Sequence, residues 1–155
     1  MTYAAELINQ VVRDVAGVRT AIHVCRGNWS RNEDVLLCGD YHALLPAFRG
    51  MAVDQFVLEY ATPRAGDIAV VGEALSHKEI GLGVVNPRTE EVETPEEIVE
   101  RVEKALRWFA PGRIFLNPDC GFGCFARRCV NEEETATAKL RSMARAAAEL
   151  RRRHP

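Results

Sequence analysis

At 155 residues, 47% of them apolar, the chain is one domain's worth of sequence with enough hydrophobic material for a real core. A formal net charge of −2 at pH 7 gives no reason to expect nucleic acid or a membrane surface as partner. No run is long or apolar enough to span a bilayer. The N-terminal Met1-Thr2-Tyr3-Ala4-Ala5-Glu6 lacks the basic-then-apolar order of an export signal. The expected location is therefore the reducing cytoplasm, where five cysteines serve as ligands, nucleophiles or core residues rather than as disulfides.

Along the chain, helix and strand patterns alternate. Tyr3 to Val15 places Leu7, Ile8, Val11, Val12 and Val15 on one helical face, with Gly17 as a stop. Val18 to Cys25 is an apolar, branched run bounded by Gly27-Asn28 and reads as a buried strand. Glu33 to Phe48 reads as a helix, with Cys38 in its core among Leu36, Leu37 and Leu44, and His42 on its surface or at an interface. Gln55 to Tyr60 is a second strand, and Ile68 to Leu75 fits either a strand or a short helix over the Pro63-Arg64-Ala65-Gly66 turn. Ile80 to Val85 is the third strand, closed by Asn86-Pro87.

Thr94-Pro95-Glu96-Glu97 opens a helix, with Thr94 as cap, Pro95 in the first turn and Glu97 completing a capping box. That helix is expected to run to about Phe109, and Arg113 to Leu116 forms the fourth strand. Asn131 to Arg153 is a terminal helix capped by Asn131, acidic in its first turn and basic in its last, with His154 in a frayed tail. A helix followed by four strand–helix units argues for an α/β fold with parallel strands: half of a (β/α)₈ barrel, whose usual length is about 250 residues.

Three strands end in metal-capable side chains: His23 and Cys25, Glu59, and Cys120 after Asn117-Pro118-Asp119. Residues i and i+2 of a strand share a face, so His23 and Cys25 can hold one ion. An imidazole, two thiolates and a carboxylate suit tetrahedral zinc, and strand C-termini are where such barrels do chemistry. Taken alone, His23 and Cys25 could equally be a packed strand pair, and Glu59 a strand-end carboxylate paired with Arg26 or Arg64. Arg26, Asn28 and Asp119 either orient ligands or hold a substrate carboxylate or sulfonate; as loop residues they also suit ordinary turns. Cys124 and Cys129 read as ordinary small residues, with Phe122 and Phe125 packing around Cys124.

His-Val-Cys followed by Arg26-Gly27-Asn28, then Leu58-Glu59-Tyr60 with Pro63-Arg64-Ala65-Gly66-Asp67, then Asn117-Pro118-Asp119-Cys120-Gly121 resemble the C-terminal catalytic barrel of the cobalamin-independent methionine synthase family. The first phrase looks most like the short single-barrel relatives, which include the epoxyalkane:coenzyme M transferases. The resemblance implies zinc held by His23, Cys25, Glu59 and Cys120, and transfer of a methyl or alkyl group to a homocysteine-like thiol. It implies a catalytic role for Glu59, as the ligand that yields to the substrate; from their places beside the ligands, Asp119 is a second catalytic candidate and Arg26 and Asn28 are substrate-binding candidates. The family barrel has eight strands, and this chain matches the last four, so a single domain, 1–155, is expected to pair with itself or with a separate N-terminal half chain. Methionine synthases proper also carry a histidine just after the third of these strands, where this chain reads Asn86-Pro87-Arg88-Thr89. The alternative is a non-catalytic, zinc-binding half-barrel acting as a partner subunit or a remnant.

Overall fold

The computed structural model describes residues 2–123 and 129–155. Cys124 and Phe125 lie outside them. Helix α1 (Thr2–Val12) forms where the apolar spacing places it and is tied down by Asn9, whose amide bonds Gly50 O at 2.8 Å and the Ala52 N–H at 2.7 Å. Strand β1 (Ala21–Val24) is shorter than the apolar run around it. Thr20, just before it, instead gives its N–H and hydroxyl to Asp54 Oδ2 at 2.7 and 2.8 Å.

The continuous helix expected over 33–48 does not form. Single 3₁₀ turns at Glu33–Val35 and His42–Leu44 precede a short helix, α2 (Leu45–Gly50). Gly39 adopts φ +111°, which no helix interior accommodates, and Pro46 sits at the start of a helix, where its missing N–H costs nothing. Asn32 and Asp40 take the N–H two residues ahead (3.0 and 2.9 Å), turns that compete with helix. Cys38 is accordingly exposed rather than core, whereas His42 is exposed as expected.

Strand β2 (Gln55–Leu58) leads to α3 (Ala69–Leu75), so the ambiguous 68–75 stretch is helix. Strand β3 (Glu79–Val85) is followed by α4 (Pro95–Ala105), which opens with the expected capping box but stops short of Phe109. Strand β4 (Ile114–Pro118) precedes α5 (Glu133–Arg153). Glu132, not Asn131, occupies the cap of α5, because the Asn131 amide is buried and donates to the carbonyls of Pro87 and Thr89. His154 is not frayed either: its Nε2 lies 3.1 Å from Glu103 and its N–H bonds Leu150 O at 2.9 Å.

The four strands are parallel and lie in sequence order, β1-β2-β3-β4. Pairing aligns Ile22, Phe56, Ile80 and Ile114 in one row, and Leu58, Leu82 and Leu116 in another on the same face. Phe56, Leu58, Ile80 and Leu82 are buried beneath the helices. The opposite face carries His23, Val57, Gly81 and Phe115, where His23 is exposed and Val57 and Phe115 are half-buried. Among the described residues, no helix is long and apolar enough to cross a membrane.

Candidate metal centre

His23 points from β1 toward the open face, and Cys25 follows one residue after the strand ends. Two parallel strands separate β1 from β4, yet the chain after β4 brings Cys120 back to them. Ligand atoms of His23, Cys25 and Cys120 lie within 4.8 Å of one another, with the two sulfurs 3.8 Å apart. The His23 Nδ1 sits 3.1 Å from Val57 O. A carbonyl can only accept, so Nδ1 is the donor in this bond and Nε2 is the ring atom left to ligate a metal. Gly27, at φ +95°, donates its N–H to Cys25 Sγ at 3.3 Å, which orients the sulfur.

Glu59 stands just past β2 and is buried, but it is not one of the trio. Its Oε1 accepts the Arg26 N–H at 2.7 Å and the Asn28 amide at 2.5 Å. Its own N–H is held by Tyr41 Oη at 2.9 Å. The Arg26 guanidinium lies 4.3 Å from the centre of the Tyr41 ring and donates to Gly39 O. Burial raises the Tyr41 hydroxyl's pKa, so it stays neutral and available as both donor and acceptor.

Asp119 is only 2% exposed. Its Oδ1 accepts the N–H groups of Tyr60 and Ala61 at 2.9 and 3.0 Å, which joins the Cys120 segment to the end of β2. Burial, with the Glu59 charge adding to it, pushes its carboxyl up to about 7, against the pull of those two N–H bonds and of Arg88. Gly83 makes this arrangement possible: a Cβ there would overlap Asp119 Oδ1 and lie 2.8 Å from Leu58 O.

Arg88 is buried in the loop after β3, within the Asn86-Pro87-Arg88-Thr89 stretch that holds no histidine. That loop is clamped from below. Glu93 accepts the Asn86 N–H at 2.6 Å and pairs at 3.0 Å with Lys139, which is fully buried on α5 and also donates to Glu91 O. Ser142 donates to Glu93 O.

Tyr41, Glu93 and Lys139 were not singled out by sequence. For Lys139 a signal existed: with Ser142, Ala146 and Leu150 it falls on the buried stripe of α5, an odd place for one of three lysines. Phe122 packs against the core as expected, and Cys129 is an exposed free cysteine.

Comparison with known proteins decides what this arrangement belongs to. A family profile described as the cobalamin-independent synthase catalytic domain matches residues 3–149. The chain belongs to that family. A methionine synthase from Thermococcus kodakarensis is 34% identical over 128 residues, covering 83% of this chain and 34% of the relative. One from Saccharolobus solfataricus is 27% identical over 128 residues, covering 83% and 35%. The chain thus spans about a third of the length of these curated relatives. A B12-independent methionine synthase structure from Shewanella sp. W3-18-1 superposes with a TM-score of 0.81 at 18% identity. The match covers 97% of this chain and 43% of that one, so the fold is part of a methionine synthase barrel. As a member of this family the chain is a methionine synthase-like catalytic domain with a His/Cys/Cys group able to hold a metal.

Proposed function

We propose that this chain is the zinc-bearing C-terminal half-barrel of an enzyme that transfers a methyl or alkyl group to a small, homocysteine-like thiol, akin to the short single-barrel relatives. The convergence of His23, Cys25 and Cys120 at the C-terminal end of the sheet carries the reading. An imidazole with Nε2 turned to the site and two sulfurs fit zinc, and Glu59 supplies the fourth donor. When bound, zinc supplies the charge that keeps a thiol substrate as thiolate near neutral pH.

The chain's own residues do the rest. Val57 O orients the His23 ring, the Gly27 N–H orients the Cys25 sulfur, and Asp119 positions Cys120 through the Tyr60 and Ala61 amides. Of the two roles open to Arg26 and Asn28, ligand orientation is the one their bonds to Glu59 support. His23 and Cys25 are exposed, and Glu59 is the donor that can yield its place to a substrate thiol, which favours catalysis over a closed structural site.

Cys120→Ser is expected to lose zinc and activity together; metal content unchanged from wild type would sink the assignment. X-ray absorption of the zinc protein with homocysteine or coenzyme M should show one added sulfur neighbour. An unchanged spectrum would favour the non-catalytic half-barrel instead. The half-exposed face and the edges of β1 and β4, which pair with no further strand among the described residues, also support association, with a second copy or with a complementary half chain. Native mass spectrometry of the never-chelated protein tests this, and a stable monomer would count against it.

A further inference from the structure

Asn28 is 1% exposed and sits in a locked turn. The Trp29 N–H bonds Gly27 O at 2.8 Å, and a Cβ on Gly27 would meet Trp29 Nε1 at 2.9 Å. That turn folds the Asn28 amide back onto the strand ends, where its nitrogen lies 2.5 Å from Glu59 Oε1 and 4.0 Å from Cys25 Sγ. One amide therefore joins the carboxylate to a member of the metal-capable trio. The Arg26 N–H occupies the same oxygen at 2.7 Å. Among the described residues no hydrogen bond reaches Glu59 Oε2.

We infer that Asn28 is a positioning residue that engages one oxygen of Glu59 and so restricts the carboxylate to a single donor atom, Oε2, toward a metal held by His23, Cys25 and Cys120. The inference rests on the zinc reading of the site and adds to it the device that sets how Glu59 takes part. An oxygen that already accepts two N–H groups is a poor second donor, so Glu59 can join a metal through one atom but cannot chelate it. A carboxylate held by one bond is also the ligand an incoming thiol displaces with least disruption. The amide is suited to this because it donates without adding charge beside two sulfurs.

Cobalt(II) in place of zinc makes the test visible. Its sulfur charge-transfer band reports the thiolates, and its d–d bands report the number and type of the other donors. Asn28→Ala should keep the charge-transfer band, shift the d–d bands and weaken cobalt binding by about 10–100-fold, the usual cost of losing a residue that orients a ligand. Glu59→Gln should weaken binding similarly, and the double variant should be no weaker than Glu59→Gln alone. Asn28→Asp, which keeps the size but removes the donor, should show the same loss, relieved when Glu59→Gln restores a donor–acceptor pair. Wild-type spectrum and affinity in Asn28→Ala, or losses that multiply in the double variant, would overturn the inference while leaving the metal site standing. A wild-type protein with no charge-transfer band would overturn the metal reading, and the inference with it.

Discussion

The two faces of the sheet follow different rules. On the helix side, Phe56, Leu58, Ile80 and Leu82 are at most 2% exposed, so the two central strands are packed by this chain's own helices. On the other side, in the row through His23, Val57, Gly81 and Phe115, His23 is exposed, Val57 and Phe115 are half-buried, and Arg19 lies 4.8 Å from the centre of the Phe115 ring. Stability is therefore concentrated on one face and chemistry on the other. A parallel sheet is normally buried on both. The open side is where a partner, a substrate or the rest of a barrel would add burial.

Adjacent residues of β2 give the sharpest contrast. Phe56 packs on Phe48 with ring centres 4.8 Å apart, so Phe56→Ala should cost about 3–5 kcal/mol and lower Tm by about 10 °C or more. Val57→Ala, one residue on and facing the other way, should cost less than about 1 kcal/mol in an isolated chain. Thermal unfolding of both variants measures the difference. If Val57→Ala proved as damaging as a core truncation, the open face would be covered in solution, and the contrast between faces would break.

The loops at the site are held by different chemistry. The one after β1 is pinned by the buried Arg26 guanidinium on the Tyr41 ring, whereas the one after β3 is pinned by the buried ion pair of Lys139 and Glu93. Lys139→Met removes one partner of a buried ion pair and leaves Glu93 uncompensated, at a cost of about 3–5 kcal/mol. Adding Glu93→Gln should return part of that loss. Urea unfolding of the single and double variants would show it; equal stabilities would mean that the pair adds nothing.

A smaller effect is expected where the two faces meet. Gly83→Ala puts a methyl group into space taken by Asp119 Oδ1 and the Leu58 carbonyl, and overpacking of this kind costs about 1–3 kcal/mol. Because Asp119 precedes Cys120 in the metal-capable trio, metal affinity should fall more than stability does if Asp119 places Cys120. Gly112→Ala, where a Cβ meets nothing within 4 Å, is the control. Retained zinc affinity in Gly83→Ala would show that Asp119 does not place Cys120.

Much of this was legible in the sequence because it rests on local rules. The Thr94 capping box, the parallel strand–helix alternation and the i, i+2 placement of His23 and Cys25 follow from the nearest few residues. The segment 33–48 misled because its leucines have helical spacing, while Gly39, Asp40 and Asn32 impose turns that outweigh it. Asn131 misled for a related reason: a good cap residue was drawn instead to the carbonyls of a loop some forty positions away. Glu59 shows the limit most clearly. Its place at the end of a strand is readable, but its pairing with a backbone N–H and an amide 33 and 31 residues earlier is not.

Asp119 offers the last test, and its sign follows from its surroundings. Its carboxyl is raised from 3.8 to about 7 chiefly by burial, so the folded chain holds that proton more tightly than the unfolded chain does. The stability this contributes is fully present below pH 3.8 and is lost as pH rises through about 7. Asp119→Asn keeps an oxygen for the Tyr60 and Ala61 N–H groups but cannot ionise. In the metal-free protein, urea unfolding at about pH 5 and about pH 8 should show wild type losing stability across that interval relative to the variant. Asp54 and Glu97 are held low by bonds from Thr20 and Thr94, so their stabilising contributions are lost only in acid, and equally in both proteins. The difference between the two proteins therefore isolates Asp119. Parallel pH profiles would mean that water reaches this carboxylate, and that the boundary between the closed and open faces lies deeper in the sheet than Asp119.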